Sequence, residues 1–363
     1  MPDTRIYRQF DPVMFFCMLA LIGLGVLMIY SATFQTPSGE LYMRQLQWFA
    51  DAMILFFILL NIDYHHLAEA SLPLYIGSLV LLVAVLFFGR RISGAKSWFS
   101  LGYFNFQPSE IAKISTILFL SKYLSDETRM FLVLRDFIQA GLIMAVPMFL
   151  IMLQPDMGTT LTFLPPLILL MFLAGMRYKW ILLAIGGGTS VLPLCWLFLK
   201  PYQKDRILTF IDPTKDPLGA GYQIIQSKIA VGSGKLLGKG LLSKQTQAYL
   251  DYIPEKHTDF VFSVLAEDFG LLGVTIALAL YFVLMGRMLS TAKQARDRVG
   301  VFIVMGLFSV FFFHFIINVG MIVGLMPITG LPLPLMSYGG SSLLSTICAM
   351  AIIMNIRMRR FVN

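Results

Sequence analysis

Ten stretches of this chain are long and apolar enough to cross a hydrocarbon layer as helices, and that repetition limits the fold more than any other feature. They fall near residues 13–33, 46–62, 72–89, 109–124, 136–153, 158–176, 180–199, 259–286, 300–323 and 341–357. A helix of about 20 apolar residues spans a bilayer, and backbone polar groups in lipid must be satisfied within helices or a closed barrel. The runs lack the period-two alternation of barrel strands. The expected fold class is therefore all-α, a polytopic membrane protein with about ten transmembrane helices. Composition agrees: 13% of residues are charged and the mean hydropathy is +0.76, where a soluble domain carries about 25% charged residues.

The expected organisation is a single integral membrane domain over residues 1–363, with one large extracytoplasmic loop, 200–258, inside it. No A-x-A-like cleavage site precedes the first run, so that run is expected to remain as a helix. Cys17, Cys195 and Cys348 all sit in apolar runs and read as packing residues.

A net charge of +8 invites a nucleic-acid reading, but in a membrane chain the first question is which side holds the cations. With the amino terminus inside, 14 Lys and Arg fall on the inner side, against five outside the long loop: Arg44, Arg90, Arg91, Lys96 and Lys113. Long loops count little in this rule, so both termini are expected in the cytoplasm, and no nucleic-acid partner is expected. The loop itself carries Lys200, Lys204, Arg206, Lys215, Lys228, Lys235, Lys239, Lys244 and Lys256. Such an outer face is either ordinarily solvated or a basic lining for an anionic substrate.

Within the loop, Ile225, Ile229 and Val231 suggest an amphipathic helix at the interface. The stretch "GSGKLLGKG" superficially resembles a phosphate loop, but the glycine spacing is wrong and no Ser or Thr follows the Lys. "SDETRMFLVLRDF" reads as a cytoplasmic surface helix.

Five polar or Gly/Pro-rich clusters gather at the outer ends of the runs: "GAKSWF" (94–99), "QPSEIAK" (107–113), "QPDMGT" (154–159), "HTDFVF" (257–262) and "MPITGLPLPLMSYGGSS" (326–342). In the second, Glu110 and Lys113 stand at i and i+3 on one helical face, as a structural ion pair, a functional one, or both. Asp156 with Thr159 or Thr160 fits a helix cap. The prolines and glycines of the last cluster forbid a regular helix, and non-helical backbone at membrane depth lines a cavity or is buried in protein. Ser337 and Ser342 there can offer hydroxyls to a polar head group. Thr258 suits an N-cap, which puts Asp259 in the first turn of the eighth run. There it either merely complements the helix dipole or stays ionised and accepts a proton. His257 is the rival base. His314 and Asn318, one turn apart, read as interhelical hydrogen-bonders.

Together and in this order, the five clusters resemble the SEDS family of cell-wall polymerases over nearly the whole chain. "RILTFIDPTKDPLGAGYQIIQSKIAVGSG" and "IPEKHTDFVFSVLAEDFGLLG" look most like its rod-shape branch, RodA, rather than its division branch, FtsW. The resemblance implies an inverting peptidoglycan glycosyltransferase that polymerises lipid II at the outer face of the bacterial cytoplasmic (inner) membrane. It also implies a fold related to polyprenyl-sugar (GT-C-like) transferases, and a class B penicillin-binding protein (PBP2-like transpeptidase) as partner. The family's essential acid falls on Asp259, its charged pair on Glu110 and Lys113, and its tryptophan on Trp98.

On that footing Asp259 is expected to act as general base on the acceptor 4-hydroxyl, with inversion needing one carboxylate and no covalent intermediate. Lys113, Arg206, Lys228 and Arg90 are the candidate cations for the leaving pyrophosphate. A divalent cation, Mg2+ or Mn2+, would suit the same charge, although no cluster has convincing metal-ligand spacing. Two other classes also fit many spans: a lipid II flippase, and a non-catalytic scaffold for cell-wall synthases. A transporter, however, usually places its site near the bilayer midplane, and the clusters lie at one end.

Overall fold

Asp11 opens the first helix, α1 (Pro12–Thr33), its carboxylate accepting from the amides of Val13 and Met14 while Pro12 occupies a position whose N–H would be orphaned anyway. The computed structural model describes residues 9–34, 40–92, 95–100, 102, 105–127, 134–176, 179, 182, 186, 201–216 and 219–361. The chain continues through α2 (Leu41–Asn61), the short α3 (Tyr64–Glu69) and α4 (Ser71–Phe88). Then come β1 (Arg90–Ile92), β2 (Ala95–Ser100), β3 (Asn105–Phe106), α5 (Pro108–Asp126), α6 (Leu134–Leu153), α7 (Met157–Leu161) and α8 (Leu164–Leu173). After the undescribed stretch follow α9 (Pro201–Ile211), a 3-10 turn at Pro213–Lys215, α10 (Ala220–Ser233), α11 (Val261–Gln294), α12 (Arg298–Ile322) and α13 (Gly340–Met358).

Among the described residues, seven helices are long and apolar enough to cross a membrane: α1, α2, α4, α6, α11, α12 and α13. The expected sixth span is split into α7 and α8 at Thr162 and Phe163, and the expected seventh, 180–199, lies outside the described residues except at 182 and 186, Cys195 included among those outside. The fourth, α5, is a full 19-residue helix too polar to count among the seven. Its Ser109, Ser115, Thr116 and Ser121 are buried, and Ser115 bonds Ser78 of α4 at 2.9 Å. Small polar residues between helices let backbones approach and bond across the contact, so α5 is a central strut rather than a lipid-facing rod. α12 packs against α5, α8, α11 and α13, while α1 lies on α11 and α2 on α13.

Within this all-α fold, Ala95–Ser100 forms the middle strand of a small antiparallel sheet, with Arg90 opposite Trp98 and Phe99 opposite Phe106. Lys96 bends back to donate to the carbonyls of Leu86 and Phe87 at 2.7 and 2.9 Å, closing the end of α4. That ammonium satisfies two helix-end carbonyls.

α11 is broken at Gly270, whose φ of 62° and ψ of −157° belong to a region only glycine occupies readily. The "GSGKLLGKG" loop bridges the break. Lys239 and Gly240 donate their amides to the carbonyls of Glu267 and Asp268, and Leu271 and Leu272 donate theirs to Lys235 and Leu236, all at 2.9–3.1 Å. The glycines permit this contact: a Cβ on Gly234 would sit 1.9 Å from the carbonyl oxygen of Ala266, and one on Gly238 2.2 Å from that of Asp268.

One end of the bundle is tied by charges. Asp11 pairs with Arg287 and Arg357 at 2.7 and 3.0 Å. His65 lies between Asp63 and Asp297 at 2.8 and 2.7 Å, and Arg359 reaches Asp63 at 3.0 Å.

Candidate active site

The segment 326–338, just before α13, runs without helix through the interior, with Leu331, Leu333, Leu335 and Met336 buried. Buried irregular backbone needs outside partners for its polar groups, and three neighbouring helices, α2, α11 and α12, supply them. Tyr281 of α11 donates to the Pro334 carbonyl at 2.5 Å, and Asn318 of α12 to that of Leu331 at 2.9 Å. Gln45 of α2 holds the Ser337 carbonyl and the Gly339 amide, at 3.2 and 3.3 Å. On α7, Gly158 lies so close that a Cβ would sit 2.5 Å from the Thr329 carbonyl. The expectation of a buried non-helical loop is met.

Against this segment lies the "HTD" turn. Its three consecutive carbonyls each accept from a different donor: His257 from the Tyr338 amide at 2.9 Å, Thr258 from the Ser337 hydroxyl at 2.6 Å, and Asp259 from the Asn318 amide group at 3.0 Å. A helix capped by Thr258 would need the Thr258 and Asp259 carbonyls for its own amides. Accordingly α11 starts only at Val261, with no side-chain cap, and the Thr258 hydroxyl turns back to Glu255. Thr258 is thus not the expected N-cap, and Asp259 precedes the helix instead of lying in its first turn. Asp259 is half-buried, and Gly330, with φ of 74°, lies against its carboxylate: a Cβ there would be 3.8 Å from Oδ2.

Burial pushes the His257 imidazole below its ordinary value, with Lys256 adding to the effect and Glu255 opposing it. Its ring stands edge-on to Tyr338 at 5.6 Å. Lys256, a cation of the expected basic lining, is itself buried and bonded to the Ala248 carbonyl and Asp251 at 2.6 and 2.8 Å.

Glu110 and Lys113 form the expected pair at 2.8 Å, each side chain 7% exposed. Glu110 also accepts from Ser345 of α13, and Lys113 lies 3.5 Å from His314 Nε2, whose Nδ1 faces the Pro332 carbonyl at 3.3 Å. A carbonyl can only accept, so Nδ1 carries the proton and Nε2 offers its lone pair to the ammonium. His314 therefore bonds across to α5, as expected, whereas Asn318 bonds two non-helical segments rather than another helix. Four residues of helix separate them, about 6 Å of rise, and this one turn links the Lys113 pair to the Asp259 turn.

Asp156 caps α7 through the Thr159 amide at 3.1 Å, as expected, and also accepts from Gln107 at 3.2 Å. Ser337, expected to offer its hydroxyl to a substrate, donates it to Thr258 and accepts with it from the Leu333 amide at 2.8 Å. Ser342 stands half-buried in the first turn of α13. Trp98 is half-buried on β2, which packs on α4 and α5. Arg90 and Lys228 are exposed, Lys228 folding against Gly324 beyond the end of α12. The side chain of Arg206 lies outside the described residues. Among the described residues, no three His, Cys, Asp or Glu side chains converge as a metal site.

Two buried carboxylates went unremarked in the sequence. Glu267, fully buried, accepts from the Gln247 amide with both oxygens at 2.9 and 2.8 Å, from Lys239 at 2.6 Å and from Ser233 at 3.2 Å. Asp268 accepts from Ser31 of α1 at 2.5 Å. The signal was present: adjacent acids inside an apolar run, followed by a glycine.

A family model for FtsW, RodA and SpoVE, described as "Cell cycle protein", matches residues 12–361. The chain belongs to this family. It is 39% identical over 351 residues to the peptidoglycan glycosyltransferase MrdB of Escherichia coli K12, covering 96% of this chain and 94% of that protein. A chain of a solved peptidoglycan synthase complex, described as coordinating polymerization and crosslinking, superposes with a TM-score of 0.84 at 32% identity, covering 98% and 99% of the two chains. The crystal structure of the rod shape determining protein RodA of Thermus thermophilus gives a TM-score of 0.73 at 29% identity, covering 98% of each. The fold is thus the membrane-spanning helical fold of the family.

Proposed function

We propose that this chain is a peptidoglycan glycosyltransferase that polymerises lipid II into glycan strands at the outer face of the inner membrane, with both termini cytoplasmic. The observation that carries the site assignment is the Asp259 turn, whose three carbonyls are each fixed from outside while the carboxylate faces Gly330. A base must be held within hydrogen-bond reach of the proton it takes, and glycine leaves room beside it. Asp259 takes the proton of the acceptor 4-hydroxyl as that oxygen bonds to the anomeric carbon of the donor. The bond from that carbon to the pyrophosphate breaks, and undecaprenyl pyrophosphate leaves with inversion.

Negative charge grows on the leaving group and calls for nearby cations. Arg90 and Lys228 are exposed and can reach an anion. Lys113 can point its remaining N–H toward one, although Glu110 balances its charge. The strand emerges beside a class B penicillin-binding protein, a reading supported by the crosslinking described for the structural relative.

Purified protein in detergent with lipid II tests this, since a flippase has no two sides to work between. Wild type should yield long glycan strands. D259N should lose about 100-fold or more of the rate, the low end of what a general base contributes. Polymerisation by D259N at the wild-type rate would remove Asp259 from the reaction.

A further inference from the structure

We infer that Asn318 is a positioning residue for the catalytic turn, holding the Asp259 main chain from α12; this rests on Asp259 being the base. The Asn318 side chain is fully buried, and its amide nitrogen gives its two hydrogens to two carbonyls, Asp259 at 3.0 Å and Leu331 at 2.9 Å. Carbonyls only accept, so the amide orientation is fixed by its partners. One side chain thereby joins the turn that carries the base to the segment that carries Gly330, the residue facing that base. The Ser337 hydroxyl makes the same kind of tie one residue earlier, from the 326–338 segment to Thr258. His314, one turn away on the same helix, touches Lys113 and the Pro332 carbonyl. α12 thus registers the base, the glycine opposite it and the buried ion pair against one rigid rod. Misplacing a reacting group by about 1 Å is enough to cost 100-fold in rate.

The test uses the full-length protein in detergent with lipid II, with kcat expressed per folded molecule after size exclusion. N318L has similar size and no donor. It should lower kcat at least tenfold while KM stays within threefold. N318D, whose buried carboxyl faces two acceptors and so keeps its proton, can donate to one of the two carbonyls and should leave kcat between that of N318L and wild type. A residue that only stabilises the fold would lower the folded yield and leave kcat per folded molecule unchanged, and that result overturns the inference. If N318L does not accumulate, N318S carries the test: its shorter hydroxyl has one hydrogen for two carbonyls, so it should lower kcat several-fold, and unchanged turnover there overturns the inference equally. D259N run alongside separates the two readings. An active D259N defeats the assignment of the base, whereas an inactive D259N with a fully active N318L defeats only the role of Asn318.

Discussion

Replacing Glu267 with Ala should release the loop that precedes the Asp259 turn. Its carboxylate collects four hydrogen bonds from three partners, the Gln247 amide, Lys239 and Ser233, while fully buried itself. Breaking a buried ion pair costs about 3–5 kcal/mol, and a buried amide left without an acceptor costs about 1–3 kcal/mol. Lys239 is 23% exposed and regains water when its partner goes, which places the net effect near the lower bound, about 3 kcal/mol. At about 1.4 kcal/mol per tenfold change, local opening should become roughly 100-fold more frequent. Amide hydrogen exchange read by mass spectrometry on residues 245–253 measures this directly, with α12 as an internal control. E267Q, which keeps an acceptor and loses the charge, should fall between. An acceleration below about fivefold in E267A, under about 1 kcal/mol, would refute the claim that this carboxylate holds the loop.

Two further perturbations test the scaffold. G270A forces a side chain into a glycine-only backbone region and puts its Cβ 2.4 Å from the Gly238 nitrogen; strain of about 1–3 kcal/mol and a similar overpacking term should collapse the monodisperse peak in size exclusion, and a wild-type profile would refute the stitched break. The His65 latch should weaken as pH rises. Burial opposes its charge, but Asp63 and Asp297 raise its pKa above the ordinary value, so its contribution is complete below pH 6.5 and is lost as pH climbs through the raised value. The Asp63 pKa is lowered, with burial opposing and His65 and Arg359 responsible, so that carboxylate stays ionised throughout pH 6–9. The thermal midpoint of wild type should exceed that of H65Q by more at pH 6 than at pH 9, and a constant difference would rule out the latch.

Hydrophobic runs were enough to place most helices, because lipid forces each run to satisfy its own backbone. The same logic identified the Glu110–Lys113 pair and the Asp156 cap, both of which need only residues three apart. What local reading missed depends on donors far away in sequence. Thr258 has the chemistry of an N-cap, but Ser337 and Asn318, 79 and 59 residues on from their partners, take the carbonyls a helix there would require. The break at Gly270 was hidden for the same reason, since its hydrogen bonds come from Lys235–Gly240. The strands at 90–106 are too short to show a pattern. Ser337 read as a ligand for substrate because an exposed and an internally bonded hydroxyl look alike in sequence.

The stitched break in α11 also bears on how the chain enters the bilayer. A continuous apolar helix can be handed to lipid as a finished rod, but this one has amide and carbonyl ends that the segment at 235–240 closes. That segment is synthesised first, so it already exists when the ribosome delivers the residues around Gly270. Integration of this element is then a docking event between two pieces of nascent chain, and a truncation that removes the earlier piece should leave the later one stalled at the interface.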